Sequence, residues 1–182
     1  MSSILFSDQE WFRYLDPRLQ NRVDLAETLY LRELKLADQQ PLVDYTFIVF
    51  PMSKAYEGFL KQFLRDQKLI TKQTYQSRRF RIGRALNPDI PPSQRNQYWL
   101  YDDVAKLCGE ELAKDLWDTW LSCRNRLFHF FPGQDQNLTL TQAKEHLLEI
   151  SNIMTRALSC ELIQSNPSKI AQVDTQQFLR AS

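Results

Sequence analysis

Behind Asp16-Pro17, the residues Leu19, Val23, Ala26, Tyr30, Leu34 and Ala37 recur at spacings of three and four. That spacing lays one apolar stripe along a helix, because at 3.6 residues per turn such positions share a face. Little in the chain would build a sheet instead. Only four glycines occur in 182 residues, alternating Val/Ile/Thr runs are scarce, and Leu, Gln, Lys, Arg, Glu and Ala dominate. The expectation is an all-α bundle of about five to seven helices. With 43% apolar residues, a chain of this length buries a core without staples, which favours one compact domain.

The remaining helices are read from their punctuation. Ser7-Asp8-Gln9-Glu10 has the form of a capping box and predicts a short first helix to Leu15. Pro17 at the first helical position starts a second helix that ends near Pro41. From Leu42 to Ile70 the apolar content is high, and Pro51 should kink or restart a helix there. Tyr45 to Phe50 also reads as a strand; the stripe Tyr56, Phe59, Leu60, Phe63 and Leu64 favours helix, with Gly58 allowing close approach of a neighbour. Residues 71 to 98 form a loop-rich connector with one short helix around Ser77 to Leu86. Helices resume at Tyr101 to Leu107 and Glu110 to Phe130, parted by Gly109 and stopped by Pro132-Gly133. Leu112, Leu116, Trp120, Cys123 and Leu127 mark the core face of the second. Thr139 to Gln142 is another capping-box pattern, opening a last helix to about Gln164. The organisation expected is N-terminal helices over 1–40 packed on a bundle over 41–165, with a polar tail over 166–182.

A formal charge of +1 decides nothing about partners, since binding depends on where charge sits. Cys108, Cys123 and Cys160 are far apart, form no CxxC pair and cannot all pair, which fits a reduced, cytoplasmic setting. The N-terminus turns polar at Ser7, so no signal peptide is expected, and no 18-residue apolar run predicts a membrane span.

Chemistry concentrates late in the Trp117 helix, where Arg124, Asn125, Arg126 and His129 crowd together. One reading is structural, with cations placed near the negative end of a helix dipole. The other is RNA cleavage, which needs a group titrating near neutral pH to move protons and a cation to hold the crowded phosphate. His129 and Arg124 supply those two roles. Positions five apart lie roughly 140° apart on an ideal α-helix. Either the helix distorts near Pro132, or the site occupies a groove that reaches both sides.

Arg124-Asn125-x-x-x-His129, late in a helix and set among Phe128, Phe130, Phe131 and Pro132, resembles the R-x4-6-H signature of the HEPN superfamily. The segment Ala55 to Leu64, followed by Leu69-Ile70, resembles part of the HEPN portion of the RnlA/LsoA toxins, the ribonuclease LS family. The resemblance covers roughly residues 40 to 165. It implies a metal-independent endoribonuclease with no cofactor, in which the RNA 2′-hydroxyl attacks its own phosphate to leave a 2′,3′-cyclic phosphate and a 5′-hydroxyl. It also implies a HEPN-like bundle, Glu57 beside Arg124 and His129 as catalytic residues, and Asn125 in support. A homodimer whose groove joins two motifs is implied, as is an antitoxin protein restraining a toxin or phage-defence effector. Those toxins carry additional N-terminal domains, whereas this sequence has room for little beyond the catalytic domain and two N-terminal helices, so a standalone or otherwise partnered version is expected. Glu57 also suits a plain i,i+4 salt bridge to Lys61.

Lys61, Arg65, Lys68, Lys72, Arg78, Arg79, Arg81 and Arg84 face a single acid, Asp66, in the most one-sided charge run of the chain. With Tyr75 and Phe80 interleaved, this stretch is a candidate RNA-binding surface, with Lys61, Arg78, Arg79, Arg81, Arg84 and Arg126 as contacts. A solvated connector or a docking face for an acidic protein remains open. His146 reads as a solvated side chain and Cys123 as a packed one. No set with metal-ligand spacing and no nucleophile elbow is visible. Two non-catalytic readings stay beside the ribonuclease: a helical RNA-binding or protein-interaction module, and a regulatory subunit that binds nucleotides.

Overall fold

A computed structural model describes residues 6–129, 132–133 and 137–160 in full, and the backbone of the last helix through 165. It is 71% helical, with no strand among the described residues. Five of its helices carry the architecture: α2 (Pro17–Leu36), α3 (Thr46–Asp66), α6 (Tyr101–Cys108), α7 (Glu110–Trp120) and α8 (Leu140–Ser165). Short α1 (Glu10–Tyr14), α4 (Lys72–Gln76) and α5 (Ile82–Ala85) fill in between them.

α3 is the axis of the bundle. Ile48, Met52, Ala55, Tyr56, Phe59 and Leu60 on it are fully buried, so most of its circumference faces protein. Tyr45 to Phe50 enters this helix and is no strand. Pro51 does not restart it: α3 runs unbroken through the proline, which stands early in the helix and whose missing N–H deprives only the carbonyl of Phe47, a residue 36% exposed. α2 lies so close along α3 that a side chain at Gly58 would collide with Leu19. The N-terminal helices share the bundle's core: Phe6 and Trp11 are buried, and Trp11 Nε1 donates to Ser151 Oγ on α8 at 3.2 Å. One continuous core runs from Phe6 to Leu158.

Two similar capping patterns have different outcomes. At α8 the box forms: Gln142 N donates to Thr139 Oγ1 at 3.2 Å and Thr139 N donates to Gln142 Oε1 at 2.9 Å. At the N-terminus it does not. Burial of Phe6 and Trp11 winds Phe6–Asp8 into a 3-10 turn, and α1 starts at Glu10 from Gln9, which makes no side-chain cap. The connector holds two short α-helices and a 3-10 turn at Pro92–Gln94 where one short helix was expected, and Thr71 caps the first of them by accepting from Thr74 N.

Two further departures matter for the site. α7 ends at Trp120 instead of continuing to Phe130, and Phe130 and Phe131 lie outside the described residues, as does the expected polar tail. Cys108 and Cys160 form a disulfide between α6 and α8. That bond removes the ground on which a reducing compartment was expected, since such bonds are rare in the cytosol. No described helix is long and apolar enough to cross a membrane.

Candidate active site

Beyond Trp120 the chain winds on as a π-helix from Leu121 to Arg126. Such a turn bonds i to i+5 and admits an extra residue per turn, a local distortion that recurs at functional sites. The 140° separation of Arg124 and His129 on an ideal α-helix therefore does not apply here; the distortion begins at Leu121, well before Pro132. Ser53, buried in α3, holds the wide turn: its hydroxyl lies 2.5 Å from the Cys123 carbonyl and 3.0 Å from that of Val49. One proton serves both acceptors. From outside, α5 closes on the entry to the turn, since any side chain at Gly83 would collide with the Trp120 ring.

One face of the turn meets α3. Arg124 Nε lies 3.5 Å from Glu57 Oε2, and Lys61 Nζ lies 3.6 Å from Glu57 Oε1. Both the ion pair with Arg124 and the i,i+4 pair with Lys61 thus exist at once. Arg124 and Glu57 are roughly a quarter exposed, at 26% and 28% of their side chains, so the pair is reachable yet partly shielded. The Arg124 Nε proton is buried and makes no hydrogen bond; at 3.5 Å the attraction to Glu57 is electrostatic without a well-formed bond. The guanidinium carbon stands 5.7 Å from the centre of the Phe128 ring, which packs edge-on against Phe50 at 5.2 Å. Lys54 Nζ covers the Phe50 ring at 4.6 Å. Lys54, Lys61 and Arg124 together make this spot cationic around one acid.

Of the expected catalytic set, the fold brings Glu57 and Arg124 into contact. Asn125 sits half-buried on the same turn, and His129 is exposed, three residues beyond the π segment. Arg126 is exposed as well.

The opposite face of the turn meets α8 and holds a cluster that residue spacing did not reveal. Cys123 Sγ lies 3.2 Å from His146 Nδ1 and 3.3 Å from Glu149 Oε2, and Ser122 Oγ donates to Glu149 Oε1 at 3.1 Å. His146 is not a solvated side chain: it is 22% exposed and 3.4 Å from Glu149. Cys123 is packed, as expected, and burial pushes its thiol far above the usual range, which leaves it a poor nucleophile. Burial also works against ionisation of Glu149, but hydrogen bonds from His146, Cys123 and Ser122 outweigh it and hold the carboxyl below its ordinary range. The sequence signal for this cluster was the i,i+3 pair His146 and Glu149; its third member comes from another helix.

The basic stretch resolves into a separate cleft of about 810 Å³ whose lining includes Arg79, Arg81, Arg84, Phe80, Asn96 and Tyr98. Arg78 is exposed at its edge and receives a hydrogen bond on its carbonyl from Arg81. Lys61 belongs to the Glu57 site instead. The expected stacking partners are corrected: Phe80 is 6% exposed and belongs to the core, while the Tyr75 ring is covered by Arg65 at 4.8 Å. Tyr98, 43% exposed and 6.3 Å from the Phe80 ring, is the aromatic that the cleft presents.

No family model, curated protein sequence or solved structure matches this chain.

Proposed function

We propose that the chain is a metal-independent endoribonuclease of the HEPN type, the toxin of a toxin-antitoxin or phage-defence system. The observation that carries this reading is the Glu57–Arg124 ion pair at 3.5 Å on a π-helical turn, because two segments distant in sequence, each resembling the same family, meet there. Arg124 neutralises the phosphate, and Glu57 holds its guanidinium in place. His129 moves a proton: the 2′-oxygen attacks phosphorus and loses its hydrogen, the P–O5′ bond breaks, and the departing 5′-oxygen is protonated. One imidazole serves one of these transfers at a time, so a homodimer with two motifs in one groove supplies base and acid together. Phe50 at 40% exposed, beside Phe128, and Phe47 at 36% give the start of α3 an exposed apolar face, extended by Val43 at 84% just before the helix, suited to such pairing. Asn125 supports the turn, and Arg78, Arg79, Arg81, Arg84 and Arg126 steer RNA toward it. The antitoxin partner belongs to the same proposal.

The cleft around Tyr98 favours a second reading, a non-catalytic helical module that binds single-stranded RNA. One experiment separates them. Wild type and His129→Ala are incubated with RNA in magnesium-free buffer. Wild type is expected to leave 2′,3′-cyclic phosphate ends and to spare a strand with a 2′-deoxy residue at the cut, while His129→Ala is about 10²- to 10⁴-fold slower. Equal cutting by both proteins sinks His129; binding without cutting establishes the module.

A further inference from the structure

The Cys123, His146 and Glu149 cluster lies behind Arg124, takes no part in the RNA chemistry above, and joins the π turn to α8. Its three donor atoms form a nearly equilateral triangle. The edges are 3.2 Å from Sγ to Nδ1, 3.3 Å from Sγ to Oε2 and 3.4 Å from Nδ1 to Oε2. A tetrahedral zinc ion, with bonds of about 2.3 Å to sulfur and about 2.0–2.1 Å to nitrogen and oxygen, spaces its ligands about 3.3–3.6 Å apart. The triangle therefore fits one face of a zinc tetrahedron with shifts of a few tenths of an ångström.

We propose that Cys123 Sγ, His146 Nδ1 and Glu149 Oε2 bind a zinc-class divalent ion that pins the π turn to α8. The donor set selects its metal: one soft sulfur with imidazole and carboxylate suits zinc and rejects magnesium and calcium, which take oxygen ligands. Binding exchanges a proton for the ion, the Cys123 thiol giving up its hydrogen to solvent while the imidazole binds neutral. A dication with one thiolate and one carboxylate is electrically neutral, which suits a site whose sulfur is fully buried. His146 is 22% and Glu149 44% exposed, so the ion has a path in from solvent and water would complete its coordination. Ser122, donating to the other oxygen of Glu149 at 3.1 Å, fixes the carboxylate from outside the coordination shell. Cys123 directly precedes Arg124, so the ion sets the stiffness of the turn that carries the arginine. This assignment stands whether or not the protein cuts RNA.

The test uses the full chain with its disulfide intact, freed of metal with a chelator and titrated with cobalt(II) alone. The expected result is one equivalent bound, with the absorption of a tetrahedral centre and a thiolate-to-cobalt band, both displaced by zinc. Cys123→Ser removes the thiolate band. His146→Gln and Glu149→Gln, at partly exposed positions, each weaken binding by about tenfold or more, and Ser122→Ala by about tenfold. Circular dichroism confirms that each variant is folded. Absence of the band in folded wild type, or its persistence in the His146→Gln/Glu149→Gln double variant, overturns the site and leaves a hydrogen-bonded cluster only. So does loss of the band in Cys108→Ser/Cys160→Ser, which would place the metal on other sulfurs.

Discussion

Cys123 and Arg124 are neighbours on one π turn, yet they answer to different helices. Arg124 turns to α3, where Glu57 and Lys61 leave it roughly a quarter exposed; Cys123 turns to α8, fully buried against His146 and Glu149. The first environment keeps a cation reachable, as phosphate binding requires. The second suppresses a thiol's reactivity and locks the backbone beneath that cation. A wide turn lets both occur within two residues, and it teaches that the working face of such a site depends on how firmly its hidden face is held.

The comparison breaks most sharply at the front. Arg124→Ala is expected to slow RNA cleavage by about 10²- to 10³-fold, as loss of one preorganised charge stabiliser does, while the urea unfolding free energy changes by less than about 1 kcal/mol, as for partly exposed side chains. A stability loss as large as the activity loss would make the arginine a structural residue like Cys123. At the back, the disulfide tethers α8 to α6 across 52 residues. Cys108→Ser/Cys160→Ser should lower stability by about 2–4 kcal/mol, read from urea melts, with the cobalt-binding cluster intact. Between the faces stands Ser53, whose hydroxyl reaches the Cys123 carbonyl. Ser53→Ala leaves buried acceptors short of a donor and should cost about 1–3 kcal/mol. It should also reduce cleavage although it touches no RNA; unchanged activity and stability together would show that α3 does not hold the turn.

How much of this was legible in the sequence follows from where the information lies. Local signals carried over: the Asp16-Pro17 start, the α8 capping box and Gly58 as a point of close approach all depend on a few adjacent residues. Ser7 to Glu10 had equally good local chemistry and lost to the burial of Phe6 and Trp11. Pro51 signalled a break, but the apolar surface of α3 carried the helix through it. At the site, Glu57 and Arg124 were paired in advance only through two family-like segments; no spacing argument joins them. The π turn has no composition of its own, being a response to Ser53 and to packing on both sides. The Cys123 cluster and the Cys108–Cys160 bond unite side chains from separate helices, and Phe80 was misread because a basic neighbourhood hid its place in the core.

Asp44 offers the smallest and most selective test, because it ties the two faces together without entering either. Its Oδ1 accepts from Thr46 N at 2.9 Å, at the start of α3, and from Leu138 N at 3.0 Å, just before α8. Partial burial opposes its ionisation, yet the Thr46 hydroxyl and the two backbone donors prevail and hold the carboxyl below its ordinary range. A carboxyl lowered by folding contributes stability that is present above its unfolded value, about 3.9, and is lost as pH falls through the lower folded value. The Asp44 contribution should thus be constant near neutrality and fall only below about pH 4, kept small by solvent screening of a largely exposed group. Urea melts of wild type and Asp44→Asn should differ at neutral pH and converge in acid. A constant difference across the acid range would mean that Asp44 contributes by shape and not by charge, and that the two faces of the π turn are joined only through their own helices.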